Sequence, residues 1–389
     1  MNEKEKLSEI IRLSTEFSSI KDIDILLERI LLEARACVNA DAGTIYTRQG
    51  DLLHFSHAQN DTLQGRLPEG EKLIYKDFSI MIDESSIAGY VASTGDILNI
   101  CDVYKLPADC GYYFDLEFDK KADYRTRSML TVPLRYETED VIGVIQVINA
   151  KDEEGNIIDF TEEDALFIRH FASTASIAMK NARMTRTLLL RMIHMAELRD
   201  PKETGAHVNR VASYSVEIYE RWAVDRGIDR KEIDANRDVL RMAAMLHDVG
   251  KVAISDTILK KPAKLTAEEY EVMKGHTTIG ANLFVNKESR FDTIASVIAL
   301  SHHENWDGTG YPLHPKGNDI SVFGRIVAVA DVYDALSCKR VYKDAWKEDD
   351  VLDEIKKLSG TKFDPEVVDS FFKCLPVIKS IAEKYPDKE

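Results

Sequence analysis

Cysteine is sparse in this chain. The five cysteines (Cys37, Cys101, Cys110, Cys338, Cys374) are odd in number, scattered, and never in CxxC spacing. That argues against a disulfide scaffold or a cysteine-rich zinc site and fits free thiols in a reducing cytoplasm. No apolar run approaches the ~18–20 residues that a membrane span needs, and the N-terminal stretch MNEKEKLSEI lacks the apolar core of a signal peptide. A soluble, cytoplasmic protein is the expectation. Positive charge is also short. Lys and Arg number 51 against 67 Asp and Glu, for a net charge of −16. Neither a nucleic-acid polymer nor an anionic membrane suits such a surface. A small anionic ligand at a local cationic or metal site remains compatible with it. There is no internal repeat and no low-complexity segment. At 389 residues, 44% hydrophobic and 30% charged, the chain is long enough for two globular domains.

The first half changes period as it runs. Ile10, Ile11, Leu13, then Ile23, Leu26, Leu27, Ile30 and Leu31 fall at helical spacing, which predicts two amphipathic helices between about Lys4 and Val38. From Ala42 the pattern becomes that of strands, with a turn at Gln49-Gly50 and a return strand from Leu52. Ser86 to Gly95 reads as a short capped helix. The β-branched runs Ser128–Leu134 and Val141–Asn149 read as central strands of an antiparallel sheet. Thr161-Glu-Glu-Asp164 is a capping signature. It opens a helical pattern with no Gly or Pro between Glu162 and Asp200. A helix of roughly 35 residues spans about 50 Å, which suits a connecting, dimerising rod, and the domain boundary is placed inside it near residue 185. After Pro201 everything reads as helix. The segments are Glu203–Arg226, Arg230–Leu246, Thr266 past His276 to about Phe284, Asp292–His302, Ile320–Leu336, Asp349–Leu358 and Pro365–Ile378. The expected fold is thus an α+β N-terminal domain with an antiparallel sheet and flanking helices, a long connecting helix, and an all-α bundle.

The bundle carries the chemistry. Its histidines fall beside carboxylates: Glu203 and His207 four apart on one helical face, His247-Asp248, His276, His302-His303, and Asp331 inside the apolar run Ile326–Val332. A carboxylate buried in such a run is costly unless paired or metal-bound. Five imidazoles and three carboxylates exceed the needs of one ion and suit two or three first-row transition ions. The set lacks the all-oxygen character of a Mg²⁺ or Ca²⁺ cage and the thiolates of a Cys₄ zinc site. Asp248 can bridge two ions, and water held between such ions is acidified toward a pKa of roughly 7. Three divalent ions against three carboxylates leave a cationic site, for which a phosphate ester is the natural guest.

Residues 9–183 resemble a GAF domain. The marks are the Ser128–Leu134 strand, the Val141–Asp152 strand with Gln146-Val-Ile-Asn149-Ala-Lys151, then Phe160 and the Thr161 cap. The resemblance implies a sensory module with a six-stranded sheet and a ligand pocket. GAF domains that bind cyclic nucleotides carry an Asn-Lys…Phe…Asp…Glu pattern; Asn149 and Lys151 stand one residue further apart, and the final Glu is not evident. The GAF ligand is therefore left unknown, with a ligand-free dimerisation domain as the alternative. Cys101 and Cys110 support no haem or bilin attachment.

Residues 190–380 resemble the HD-GYP family of cyclic di-GMP phosphodiesterases. The motifs are His207-Val-Asn-Arg210, His247-Asp248-Val-Gly-Lys251, Lys261–Thr266 leading to His276, His302-His-Glu304-Asn-Trp-Asp307-Gly-Thr-Gly310-Tyr311-Pro312, Asp331-Val-Tyr-Asp-Ala335 and Arg340-Val-Tyr-Lys343. The resemblance implies metal ligands Glu203, His207, His247, Asp248, His276, His302, His303 and Asp331. Members that hold a third metal have a Glu at the place of Glu203, so a trinuclear iron or manganese site is expected. Asp248 and Lys251 are the expected catalytic residues, Lys251 reaching the phosphate from a continuing helix. Arg340, Lys343 and the Gly310-Tyr311-Pro312 loop are the expected substrate contacts, and that loop implies diguanylate-cyclase (GGDEF) partners.

The resulting layout is a GAF sensory domain at 1–183, a linker helix at 184–200 and an HD-GYP domain at 201–389. The expected activity is hydrolysis of cyclic di-GMP to pGpG or GMP in a homodimer, gated by the GAF domain through the connecting helix. The alternatives are a phosphodiesterase for another cyclic dinucleotide and a non-catalytic nucleotide- or partner-binding receptor.

Overall fold

A computed structural model describes residues 3–68, 70–75, 78–136, 140–197, 205–286, 288–338 and 346–386. The chain divides into two compact units, Met1–Arg186 and Thr187–Glu389.

The first unit is a sheet with helices against it. Helices α1 (Glu3–Ser19) and α2 (Ile23–Cys37) precede the hairpin β1 (Ala40–Gln49) and β2 (Leu52–Asn60). The short α3 (Asp61–Gln64), β3 (Ser79–Met81), α4 (Ile87–Thr94), β4 (Leu98–Ile100) and α5 (Leu116–Ala122) follow, and then the long strands β5 (Met129–Tyr136) and β6 (Asp140–Lys151). The order is β3-β2-β1-β6-β5-β4 and the pairing is antiparallel. The expected sheet had six strands. A seventh, the two-residue β7 (Ile157–Ile158), pairs with β6 at Ala150, and so short an element leaves no period to read.

Alternation along the strands gives the sheet two different faces. Ile45, Leu130, Val132, Ile145 and Val147 are fully buried in a core with Leu26, Ile30, Ile168 and Ala175 from the helices. Ala42, Thr44 and Tyr46 of β1, with Gln146 and Ile148 of β6, point the other way and line a cavity of about 530 Å³. Helix α4 has the expected ends. Ser86 Oγ accepts the Gly89 N–H, and Gly95 closes the helix at φ 73°, a conformation open to glycine without strain. Helix α6 (Glu162–Glu197) opens on a capping box, with Thr161 N donating to Asp164 Oδ2 at 2.8 Å and Asp164 N to Thr161 Oγ1 at 3.1 Å.

The second unit is helical. It comprises α7 (Gly205–Asp225), α8 (Arg230–Ala244), α9 (Asp256–Leu259), α10 (Ala267–Lys274), α11 (His276–Asn282), α12 (Arg290–Ser301), α13 (Val322–Ser337), α14 (Glu348–Lys357), α15 (Pro365–Lys373) and α16 (Leu375–Lys384). Val211, Ile218, Leu240, Ala243, Ile298, Val329 and Phe371, all fully buried, are at its core. Three expectations need correction. The helix from Thr266 does not run on to Phe284. At Gly275 it tightens to an i→i−3 bond with Val272 O and restarts at His276. The segment Pro365–Ile378 is two helices. Pro376 has no N–H and its ring crowds the carbonyl four residues back, so the run breaks at Cys374. Lys251 does not continue a helix. Helix α8 ends at Ala244, and Val249–Ala253 is a 3₁₀ turn.

No helix among the described residues is long and apolar enough to cross a membrane.

Candidate metal centre

The bundle collects its histidines at helix ends. His207 is in the first turn of α7, His247 follows α8, His276 begins α11, and His302 caps α12. At such places the side chain reaches past its own helix, and the backbone carbonyls of the last turn are free to accept. Gly250 lets the 3₁₀ turn lie against α11, since a Cβ there would meet His276 O at 1.9 Å.

Two groups of ligand atoms result, each with its members within 4.8 Å of one another: Asp248, His276, His302 and His303; and His207, His247 and Asp331. They adjoin. His247 Nε2 lies 3.4 Å from Asp248 Oδ2 and 4.0 Å from Asp331 Oδ1. Asp248 Oδ1 faces His276 Nε2 at 3.1 Å and His302 Nε2 at 3.6 Å, and Asp331 Oδ1 faces His207 Nε2 at 3.6 Å.

The donor set fits metal ions in its proton placement as well as its composition. His247 Nδ1 is 2.9 Å from Ala244 O, His276 Nδ1 is 2.7 Å from Met273 O, and His302 Nδ1 is 3.0 Å from Ile298 O. A carbonyl can only accept, so each Nδ1 carries the proton and each Nε2 offers its lone pair to the centre. For His207 the anchor is a carboxylate: Asp334 Oδ2 at 2.8 Å from Nδ1. Arg210 holds that carboxylate by Nε at 2.6 Å and Nη2 at 2.9 Å, the two-pronged geometry that makes such pairs strong.

Burial pushes His302 and His303 toward the neutral imidazole, His303 well below its ordinary value. Burial alone would raise Asp248 too, but Lys251 and then His247 outweigh it and hold the carboxyl well below the usual range. Lys251 Nζ is 2.6 Å from Asp248 Oδ2. The 3₁₀ turn therefore brings the lysine to the centre, by another route than the helix expected.

The loop after α12 approaches from the side. Tyr311 N donates to His303 O at 3.2 Å, and the two rings lie 4.8 Å apart at 33°. Gly310 passes so close to Glu304 and Asn305 that a Cβ would meet Asn305 N at 2.2 Å. Pro312 follows a cis peptide bond.

The structure thus brings together His207, His247, Asp248, Lys251, His276, His302, His303, Asp331 and Tyr311. Glu203, Arg340 and Lys343 lie outside the described residues. Sequence reasoning gave no role to Asp334, Arg210 or Glu304, although the motifs contain all three. It took Asp331 for the buried carboxylate of α13, yet the Asp331 side chain is 18% exposed and that of Asp334 is 2% exposed. The available signal was helical spacing: Asp334 and Arg210 each stand three residues after a ligand.

Residues 22–179 match the family profile of the GAF domain and residues 176–367 that of the HD domain. The chain joins a GAF domain to an HD domain. Several relatives are named as phosphodiesterases. The Vibrio cholerae protein named 3′3′-cGAMP-specific phosphodiesterase 2 is 40% identical over 52% of this chain and 37% of its own length. A Vibrio cholerae cyclic di-GMP phosphodiesterase is 37% identical over 68% of this chain and 52% of its own. A Thermotoga maritima cyclic di-GMP phosphodiesterase is 40% identical over 50% of each. The chain spans about half the length, or less, of these relatives.

Proposed function

We propose that this chain is a metal-dependent phosphodiesterase that hydrolyses cyclic di-GMP to pGpG or GMP. The observation that carries the reading is the adjacency of the two donor groups across His247 and Asp248, at 3.4 Å. Donor groups that adjoin in this way would hold two ions side by side, where both could act on one phosphate. Relatives named cyclic di-GMP phosphodiesterases support the substrate.

Bound ions would supply a water of lowered pKa and neutralise phosphate charge. His276, His302, His303 and Asp248 would hold one ion, and His207, His247 and Asp331 another. Glu203 would add a third, with iron or manganese the metal. The anchored Nδ1 atoms fix the tautomer and the aim of the imidazoles, so little is left to reorganise when the substrate arrives. Lys251 is proposed to shift its ammonium from Asp248 toward a phosphate oxygen and stabilise charge there. Tyr311 would stack on guanine, and Arg340 and Lys343 would take the second phosphate.

The domain reading is GAF at 1–183, linker helix at 184–200 and phosphodiesterase at 201–389. We read the chain as a cytoplasmic homodimer in which a GAF ligand acts through α6, with GGDEF proteins as partners at the Gly310–Pro312 loop. The exposed Ile177, Met184, Leu188 and Met195 of α6 support pairing with a second copy. Deleting residues 1–185 should change activity or oligomeric state; no change in either would sink the gating.

A second reading is favoured by one observation, the 40% identity to a relative named for 3′3′-cGAMP. One chromatographic experiment tests both. Protein prepared anaerobically with Fe²⁺ or Mn²⁺ is given cyclic di-GMP or 3′3′-cGAMP beside an Asp248→Ala control. Faster turnover of cyclic di-GMP by the intact chain alone upholds the main reading. Preference for 3′3′-cGAMP transfers it to the hybrid nucleotide, and binding without turnover points to a receptor.

A further inference from the structure

The cavity on the outer face of the GAF sheet has a composition of its own. Its volume of about 530 Å³ falls in the range of small-molecule sites. Four rings form one wall: Phe55 and Phe78 stack at 4.8 Å, Tyr75 lies 5.8 Å from Phe55, and Tyr46 meets Phe55 edge-on at 6.1 Å. Polar groups are few, and two are unspent. The Tyr46 side chain is 9% exposed, and its hydroxyl has no hydrogen-bond partner among the described residues. Gln146, 6% exposed, donates from Nε2 to Thr131 Oγ1 at 3.2 Å and Met129 Sδ at 3.3 Å, while its Oε1 receives no hydrogen among the described residues. Neither atom is shut off from the cavity that the two residues line, so both are available to a guest. A donor and an acceptor left open beside an aromatic wall are what a bound molecule would satisfy.

The charge is equally specific. The charged residues that line the cavity, Asp115 and Lys121, are both exposed. Lys151 is engaged elsewhere, with its Nζ on Asp41. Arg35, buried beside the lining residues Gln59 and Tyr75, is committed to Gln59 Oε1, the Asp41 carbonyl and the Asp61 carboxylate, and an ionised phosphate taken out of water without a cation of its own is strongly disfavoured.

We infer that this cavity binds a small, uncharged aromatic molecule bearing a hydrogen-bond acceptor for Tyr46 and a donor for Gln146, and does not bind a cyclic nucleotide. The inference rests on the proposed function only in taking the GAF domain as the sensory input; it deepens that reading by naming the ligand class.

The test uses the full chain and calorimetric titration with 4-quinolone, naphthalene, cyclic GMP and cyclic AMP. 4-Quinolone carries both polar groups and should bind at least ~10-fold more tightly than naphthalene, as two net hydrogen bonds suggest. Neither cyclic nucleotide should bind to the cavity or displace 4-quinolone. Tyr46→Phe, which keeps the ring, should weaken 4-quinolone by about 2–10-fold and leave naphthalene unchanged. Ala58→Phe, which fills the cavity, should abolish binding while the protein still melts cooperatively. Binding of a cyclic nucleotide that displaces 4-quinolone, equal binding by wild type and both variants, or no binding of either ring compound would overturn the inference. Cyclic di-GMP hydrolysis is measured in the same preparations. Its absence would count against the proposed function alone and leave the cavity result standing.

Discussion

His207 and Asp334 form a buried pair in which the imidazole donates from Nδ1 to the carboxylate at 2.8 Å. Burial would raise the Asp334 carboxyl, but His207 and Arg210 outweigh it and keep it ionised. The pair fixes which nitrogen of His207 is turned toward Asp331 and the donor group. Asp334→Asn removes the charge and weakens the grip of Arg210. Outer partners of this kind are typically worth 10–100-fold in metal affinity. The expected result is a loss of that order in Mn²⁺ affinity by chelator competition, with the fold retained by circular dichroism. Unchanged affinity would make the pair a packing feature only.

Lys251 gives a different signature. Its Nζ contacts Asp248 and is 2.6 Å from Oδ2. If its part is to stabilise charge that develops on phosphate, Lys251→Met should lower kcat by on the order of 10²–10³ with KM and bound metal nearly unchanged. Loss of metal in step with activity would assign the lysine to holding Asp248 in place.

The parts of the fold that were legible are those with local causes. Ser86 and Gly95 announce a helix because a hydroxyl can cap the first turn and glycine can close the last. Thr161 and Asp164 do the same for α6. His302-His303 and His247-Asp248 stood out because adjacent ligand residues need no fold to be noticed. Asp331 and Asp334 show the limit. They share one helix and one apolar stretch, and only the position of Arg210 on another helix decides which is buried in an ion pair and which faces the donor groups. The restart at Gly275 was hidden because Met273, Gly275 and His276 all fit a continuous helix. Its consequence, His276 Nδ1 on Met273 O, depends on tertiary placement.

Asp41 links the GAF unit to pH. Burial raises its carboxyl, but contacts from Lys151 and Tyr124 outweigh this and hold it below the ordinary 3.8. Tyr124 donates at 2.8 Å and Thr62 at 2.9 Å. A folded pKa below the unfolded one means a contribution fully present above about pH 4 and lost as pH falls through the lowered value. Asp41→Asn should therefore melt below wild type at pH 7, by on the order of 1–3 kcal/mol, and the gap should narrow at pH 3. A gap that is constant with pH would show that the carboxylate's charge is not what matters.

Glu304 governs the loop that carries Tyr311. The residue is 3% exposed, and its Oε1 accepts the N–H groups of Leu313 at 2.7 Å and His314 at 3.2 Å. The carboxylate ties the far side of the turn back to the end of α12, next to His303. Hydrogen bonds to a charged acceptor are worth about 1.5–3 kcal/mol each, and a buried donor left unmet costs a similar amount. Glu304→Ala should thus destabilise the domain by on the order of 2–4 kcal/mol and release the loop. Glu304→Gln keeps one acceptor oxygen and should recover most of that stability. If the loop positions substrate, Glu304→Ala assayed below its melting temperature should raise KM for cyclic di-GMP more than it lowers kcat, because the metal ligands are untouched. Equal losses in the Ala and Gln variants, or a kcat effect with KM unchanged, would remove the loop from substrate binding.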